Sequence, residues 1–185
     1  MFRWIVLAVS AVILVIILAI IGMYNNLVSL KMRVKNAWAQ IDTQLKRRFD
    51  LIPNLVETVK GYAQHEQSTL DDVIKARNSY VSASSVEDKA SANTELNATL
   101  KNLFALAESY PDLKANENFM ALQTELSGTE DKIAYSRQFY NDTVQMYNTA
   151  IMKFPTNLIA GMLGFKEEAF FQIDETEKNP VQVKF

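Results

Sequence analysis

WIVLAVSAVILVIILAIIGM, residues 4–23, carries no charged side chain, and Ser10 is its one hydroxyl. At ~1.5 Å per residue, a helix over this stretch is ~30 Å long, the thickness of a bilayer hydrocarbon core. The stretch therefore reads as a membrane span, and the fold of the remaining chain is whatever hangs from it. A cleavable signal peptide has a shorter apolar core and small residues before the cut. Here the apolar run closes on AIIGMY (19–24), with large residues where small ones are needed, so a retained anchor is expected. Arg3 is the lone basic side chain before the span, whereas Lys31, Arg33 and Lys35 follow it. The positive-inside rule then places a short N-terminus outside and the following domain in the cytoplasm.

With 1–23 set aside, the 185-residue chain leaves enough for one domain with a core. Its net charge of −2 offers no general attraction to nucleic acid. The absence of cysteine removes disulfide, thiolate-zinc and thiol chemistry.

The four prolines, at 53, 111, 155 and 180, are punctuation, and the stretches between the first three are interrupted only by Gly61 and Gly128, the pattern of a few long helices. From Tyr24 an apolar stripe recurs at helical spacing: Leu27, Leu30, Val34, Ala37, Ile41, Leu45. A first helix is expected to continue from the span to about Arg48. Asp50 suits the cap of a second helix, with Pro53 in its first turn. That reading places a turn at 46–53, because the Pro53 ring would clash with the Phe49 carbonyl in an unbroken helix. The stripe nearly keeps register through 45–56, so one helix kinked at Pro53 is the alternative. SASSVED (82–88) reads as a polar loop. A third helix carries Leu96, Leu100, Leu103, Ala107 and Tyr110, and Pro111 stops it. A fourth runs from about Phe119 to Phe154, its apolar residues stepping by three and four. The expected fold class is all-α: a transmembrane helix continuing into an antiparallel up-down four-helix bundle. Strand-like alternation is confined to the final VQVKF. The domains are a 1–23 anchor, a 24–156 bundle and a 157–185 apolar segment and tail. NLIAGMLGF (157–165), with Phe170 and Phe171 beyond it, either lies in the membrane interface or folds back over the open end of the bundle.

Catalytic chemistry has little to draw on. His65 is the single histidine, flanked by Gln64, Glu66 and Gln67, and reads as a solvated surface residue. No pair of Glu-x-x-His motifs for a metal, no phosphate loop, no catalytic residue and no cofactor or metal site is expected. One helix face is unusual. Within IAYSRQFYNDTVQMYN (133–148), Arg137, Tyr140, Asn141, Val144, Tyr147 and Asn148 share the seam. Buried there, each unmade hydrogen bond would cost ~1–3 kcal/mol. The face is either a polar network fixing helix register, with Glu66 as a partner for Arg137, or a pocket for a small ligand or peptide. Lys46, Arg47 and Arg48, at the expected turn, form either a docking patch for an acidic partner or an ordinary solvated turn.

YNNLVSLKMRVKNAWAQIDTQLKRRFDLIPNLVETVKGYAQHE (24–66) closely resembles bacterial LemA family proteins, most of all in its RRFDLIPNLVETVKGYAQHE portion. IAYSRQFYNDTVQMYN (133–148) and KFPTNLIAGMLGFKEEAFF (153–171) fit the same pattern. The resemblance covers essentially the whole chain. It implies a single-pass membrane protein with a helical domain and an outside N-terminus, of a kind that organises or assists membranes, one branch being associated with magnetosome membranes. It carries over no catalytic residue. The expected function is a membrane-anchored, non-catalytic helical scaffold or adaptor. Its partners would be the lipid bilayer and further copies or other membrane proteins, without nucleic acid.

Overall fold

The computed structural model describes residues 1–172. VQVKF (181–185) lies outside the described residues. The described chain is all-helical, with six helices in the order α1 (Phe2–Lys60), α2 (Gln67–Ser82), α3 (Val86–Ala107), α4 (Pro111–Lys114), α5 (Glu117–Met152) and α6 (Thr156–Leu163). Among the described residues one helix, α1, is long and apolar enough to cross a membrane, and its apolar window is entirely exposed.

The expected turn at 46–53 does not form. α1 is one helix of 59 residues with Pro53 inside it. The missing Pro53 N–H leaves the Phe49 carbonyl without its intrahelical partner. Arg77, on α2, donates its Nε–H to that carbonyl oxygen at 3.3 Å. The apolar face also runs on through the proline: Leu45, Phe49, Ile52, Leu55 and Val59 are all buried. Interior proline costs ~3 kcal/mol, and burying each large apolar side chain returns ~1.5–3 kcal/mol, so the continuous face prevails. The chain reverses instead at 61–66, just past Lys60, and α2 begins at Gln67. A capping box starts α3: Ser85 Oγ accepts from the Asp88 N–H at 3.0 Å, and the Ser85 N–H donates back to Asp88 at 3.4 Å.

The contacts group into two units. The first comprises Met1–Trp38 and Phe139–Glu168. Its core is Leu27, Val34 and Ala37 of α1 against Tyr140, Val144, Tyr147 and Ile151 of α5, with Ala160 of α6. The Trp38 and Tyr140 rings lie 5.6 Å apart. The second comprises residues 39–138 with the described residues from 169. Its core joins Ile41 to Val59 on α1 with Leu70, Val73 and Tyr80 on α2, Leu96, Leu100 and Leu103 on α3, and Phe119, Leu126 and Ile133 on α5. Phe49 stacks on Tyr80 with centroids 3.8 Å apart. Of the expected apolar stripes, Leu30 and Tyr110 are half-exposed and Phe154 is exposed.

Candidate functional site

A buried cation sits in the second unit, and it is not the one the helix-face pattern singled out. Arg48 belongs to the middle of α1, on its core face between Leu45 and Ile52, and is 5 % exposed. Its Nη1 donates to Asn93 Oδ1 on α3 at 2.9 Å, and its Nη2 donates to Asn97 Oδ1. Asn93 and Asn97 stand one turn apart on α3, the spacing that the planar guanidinium fork spans. Glu130 of α5 brings a carboxylate oxygen 2.7 Å from Nη1 as an ion pair, off the N–H axis that a hydrogen bond requires. Burial draws the Arg48 pKa down and the Glu130 charge opposes it. The guanidinium stays protonated and joins α1, α3 and α5 through one charge. Above it opens a cleft of about 390 Å³ lined by Asn97, Lys101, Phe104, Gln123 and Glu130.

Lys46 and Arg47 flank this residue on the exposed side of α1. Arg47 Nη2 pairs with Glu125 of α5 at 2.8 Å, an exposed pair of the kind worth ~0–1 kcal/mol. The expected patch of Lys46, Arg47 and Arg48 at a turn is therefore corrected. The three lie within a helix rather than on a turn, and the third points into the core.

Asp42, one turn before Lys46, is the hub of a second polar cluster. It accepts from Tyr80 Oη at 3.0 Å and from Lys89 Nζ. Burial pushes the Asp42 carboxyl up, but the hydrogen bonds from Lys89 and Tyr80, the Lys89 charge and the more distant Lys46 charge hold it below its ordinary range. Burial, then the Asp42 charge and hydrogen bond, push the Tyr80 hydroxyl well above the usual phenol range.

The polar face of α5 divides. Arg137, in the second unit, is half-exposed, and no ion pair among the described residues joins it to Glu66. Glu66 stands at the break before α2 and accepts from Tyr110 Oη at 3.4 Å. In the first unit Tyr140 is buried against Trp38, and Asn141 is half-buried. Tyr147 Oη donates to the Lys166 carbonyl at 2.9 Å. Asn148 holds Glu168 by both backbone groups: its Nδ2 donates to the carbonyl at 2.9 Å, and its Oδ1 accepts from the N–H at 3.0 Å. Burial, then the Glu168 charge, raises the Tyr147 pKa. These two side chains bind the chain's own backbone after α6, a role that helix spacing gave no means of finding. His65 is exposed, as its polar neighbours suggested.

The profile of the LemA family matches residues 37–185. The chain is similar to Protein LemA of Metamycoplasma hominis, at 28 % identity over 85 % of this chain and 73 % of the relative. It is also similar to Magnetosome protein MamQ of Magnetospirillum gryphiswaldense, at 26 % identity over 95 % of this chain and 74 % of the relative. Magnetosome protein MamQ 2 of Paramagnetospirillum magneticum is 25 % identical over 85 % of this chain and 68 % of the relative.

Proposed function

The chain belongs to the LemA family, and we propose that it is a membrane-anchored, non-catalytic helical scaffold that organises partner proteins at a membrane surface. One observation carries this reading: the exposed apolar part of α1 continues without a break into the residues that build the packed core, so anchor and domain share one helix. The similarity to proteins named for the magnetosome supports it. We read α1, α2, α3 and α5 as an up-down bundle. Two contacts support opposite directions for α1 and α5: Asn116 Nδ2 donating to Tyr62 Oη at 3.0 Å, and Arg47 pairing with Glu125. The lysine and arginine bias after the span supports a cytoplasmic domain, which reporter fusions at the C-terminus test. A sensor binding a small ligand on the polar face of α5 would need Tyr147 and Asn148 available, and both are engaged with the 166–168 backbone.

Chemical cross-linking of the full chain in its native membrane tests the scaffold. Discrete cross-linked species, with further copies or with other membrane proteins, are expected. A chain that cross-links to nothing and elutes from detergent as a monomer would overturn it.

A further inference from the structure

Helix α6 carries an apolar face that no described residue covers. On the helix Ala160 is buried, whereas Leu158 is 59 % exposed, Met162 86 % and Leu163 54 %, and Phe154, just before the helix, is 80 % exposed. Leu158 and Met162 are one turn apart on the outer side of α6. Between Lys153 and Lys166, both exposed, the chain has no charged residue.

The height of this face is set by contacts within the first unit. At the end of α6, Gly164 takes the left-handed conformation, with φ of 74°, that glycine adopts without strain. The Phe165 N–H then closes on the Ala160 carbonyl at 3.0 Å. This turn delivers the Phe165 ring to Tyr24, edge to face, with centroids 6.0 Å apart. Lys31 Nζ lies 5.9 Å from the same ring and 3.5 Å from the Glu168 carboxylate. The bonds from Tyr147 and Asn148 hold the chain after Phe165 to α5. So α6 is tied at both ends, by α5 before it and by this strap after it.

Tyr24 is the residue next to the end of the apolar stretch at Met23, and Leu27 is the first fully buried residue along α1. Protein packing therefore begins within one helical turn of the point where the span leaves the hydrocarbon. A lone helix is only ~10–12 Å across, so at that height the medium around α1 and α6 is the headgroup layer. An uncharged helix with an exposed apolar face, flanked by lysines whose stems reach toward phosphates, is chemically suited to that layer.

We propose that α6, with Phe154 just before it, is a second membrane attachment, with Phe154, Leu158, Met162 and Leu163 seated in the headgroup–acyl boundary of the leaflet from which α1 emerges. The proposal rests on α1 being the span. It gives the first unit a two-point contact, so the bilayer sets the tilt of that unit as well as its location.

The chain has no cysteine, so a single introduced cysteine labels one position. Full-length Leu158→Cys, Met162→Cys, Ile13→Cys and Asn78→Cys proteins would carry an environment-sensitive fluorophore in phosphatidylcholine–phosphatidylglycerol vesicles. Lipids spin-labelled near the headgroup or deep in the acyl chain then report depth. Expected is a blue-shifted emission at 158 and 162, quenched on the order of several-fold more by the shallow label than by the deep one. Ile13 should be quenched by the deep label and Asn78 by neither. If 158 and 162 behave like Asn78 while Ile13 is quenched from the deep position, the interfacial attachment is wrong and the span stands. A blue shift at 158 and 162 without lipid quenching would mean that protein covers α6, which also overturns the proposal. An unquenched Ile13 would remove the span and, with it, the attachment.

Discussion

Arg77 Nε donates to the Phe49 carbonyl oxygen across 3.3 Å, at the one point in α1 where Pro53 supplies no N–H. A side chain of α2 thus stands in for a backbone donor of α1. The consequence is energetic coupling between Arg77 and Pro53 through the carbonyl that one serves and the other leaves open.

Pro53→Ala restores a donor for Phe49 and removes the ring from the helix interior. It should raise the unfolding free energy by about 1–3 kcal/mol, the upper end being the propensity difference. Arg77→Ala should cost about 1 kcal/mol in the native background and less in the Pro53→Ala background, where the carbonyl is already satisfied. Urea unfolding of the four proteins of this cycle measures the difference. Strict additivity would show that Arg77 does not substitute for the missing donor.

Arg48→Ala strands Asn93, which is 1 % exposed, together with Asn97 and Glu130. A loss of about 3 kcal/mol is expected, because removing one member of a buried charged network leaves the others unpaired. Glu130 is partly exposed and can rehydrate, which keeps the loss at the low end of that class. Combining Arg48→Met with Asn93→Leu and Asn97→Leu should recover much of it. Denaturant midpoints for the two variants decide the point. Equal losses would mean that the polar members contribute little beyond their packing.

The acid limb of stability should depend on Asp42. Its carboxyl titrates below the ordinary range in the folded protein. The unfolded chain therefore takes up its proton first as pH falls. Stability from Asp42 is present above the ordinary carboxylate range and is lost as pH drops through it toward the folded value. Asp42→Asn and Lys89→Gln should both flatten the fall in melting temperature across that window. An unchanged slope in both would contradict the cluster. Tyr80 has the opposite sign: its pKa is raised, so its contribution is intact below the usual phenol range and fades as pH climbs above it.

Asn148 fixes the chain after α6 by satisfying both backbone groups of Glu168. Asn148→Ala should speed tryptic cleavage after the exposed Lys166 by roughly tenfold, the equivalent of losing ~1.4 kcal/mol of local closure. Tyr147→Phe removes one bond to Lys166 and should have a smaller effect. Cleavage rates matching the native chain would show that other contacts hold the segment.

The sequence by itself determined what depends on neighbours along one helix. The uncharged run before Tyr24, the stripe Leu27–Leu30–Val34–Ala37–Ile41–Leu45, of which Leu30 alone is not buried, the polar break near 82–88 and the stop at Pro155 are properties of spacing and local propensity. Each appears in the folded chain at or near its expected place. The tertiary structure decided which polar residues the core accepts and where α1 ends. Burying an arginine requires partners, and the sequence of α5 pointed to Arg137 because its neighbours there are polar. The partners that matter, Asn93 and Asn97, lie 45 and 49 residues away from Arg48 on another helix. Pro53 misled for the same reason. Its cost is local and visible in the sequence, while the donor that offsets it, Arg77, is 28 residues beyond Phe49 and meets it only after the chain has folded back at 61–66. Periodicity tells which face is inward. It does not tell what stands opposite, and buried polar groups are stabilised or not by what stands opposite.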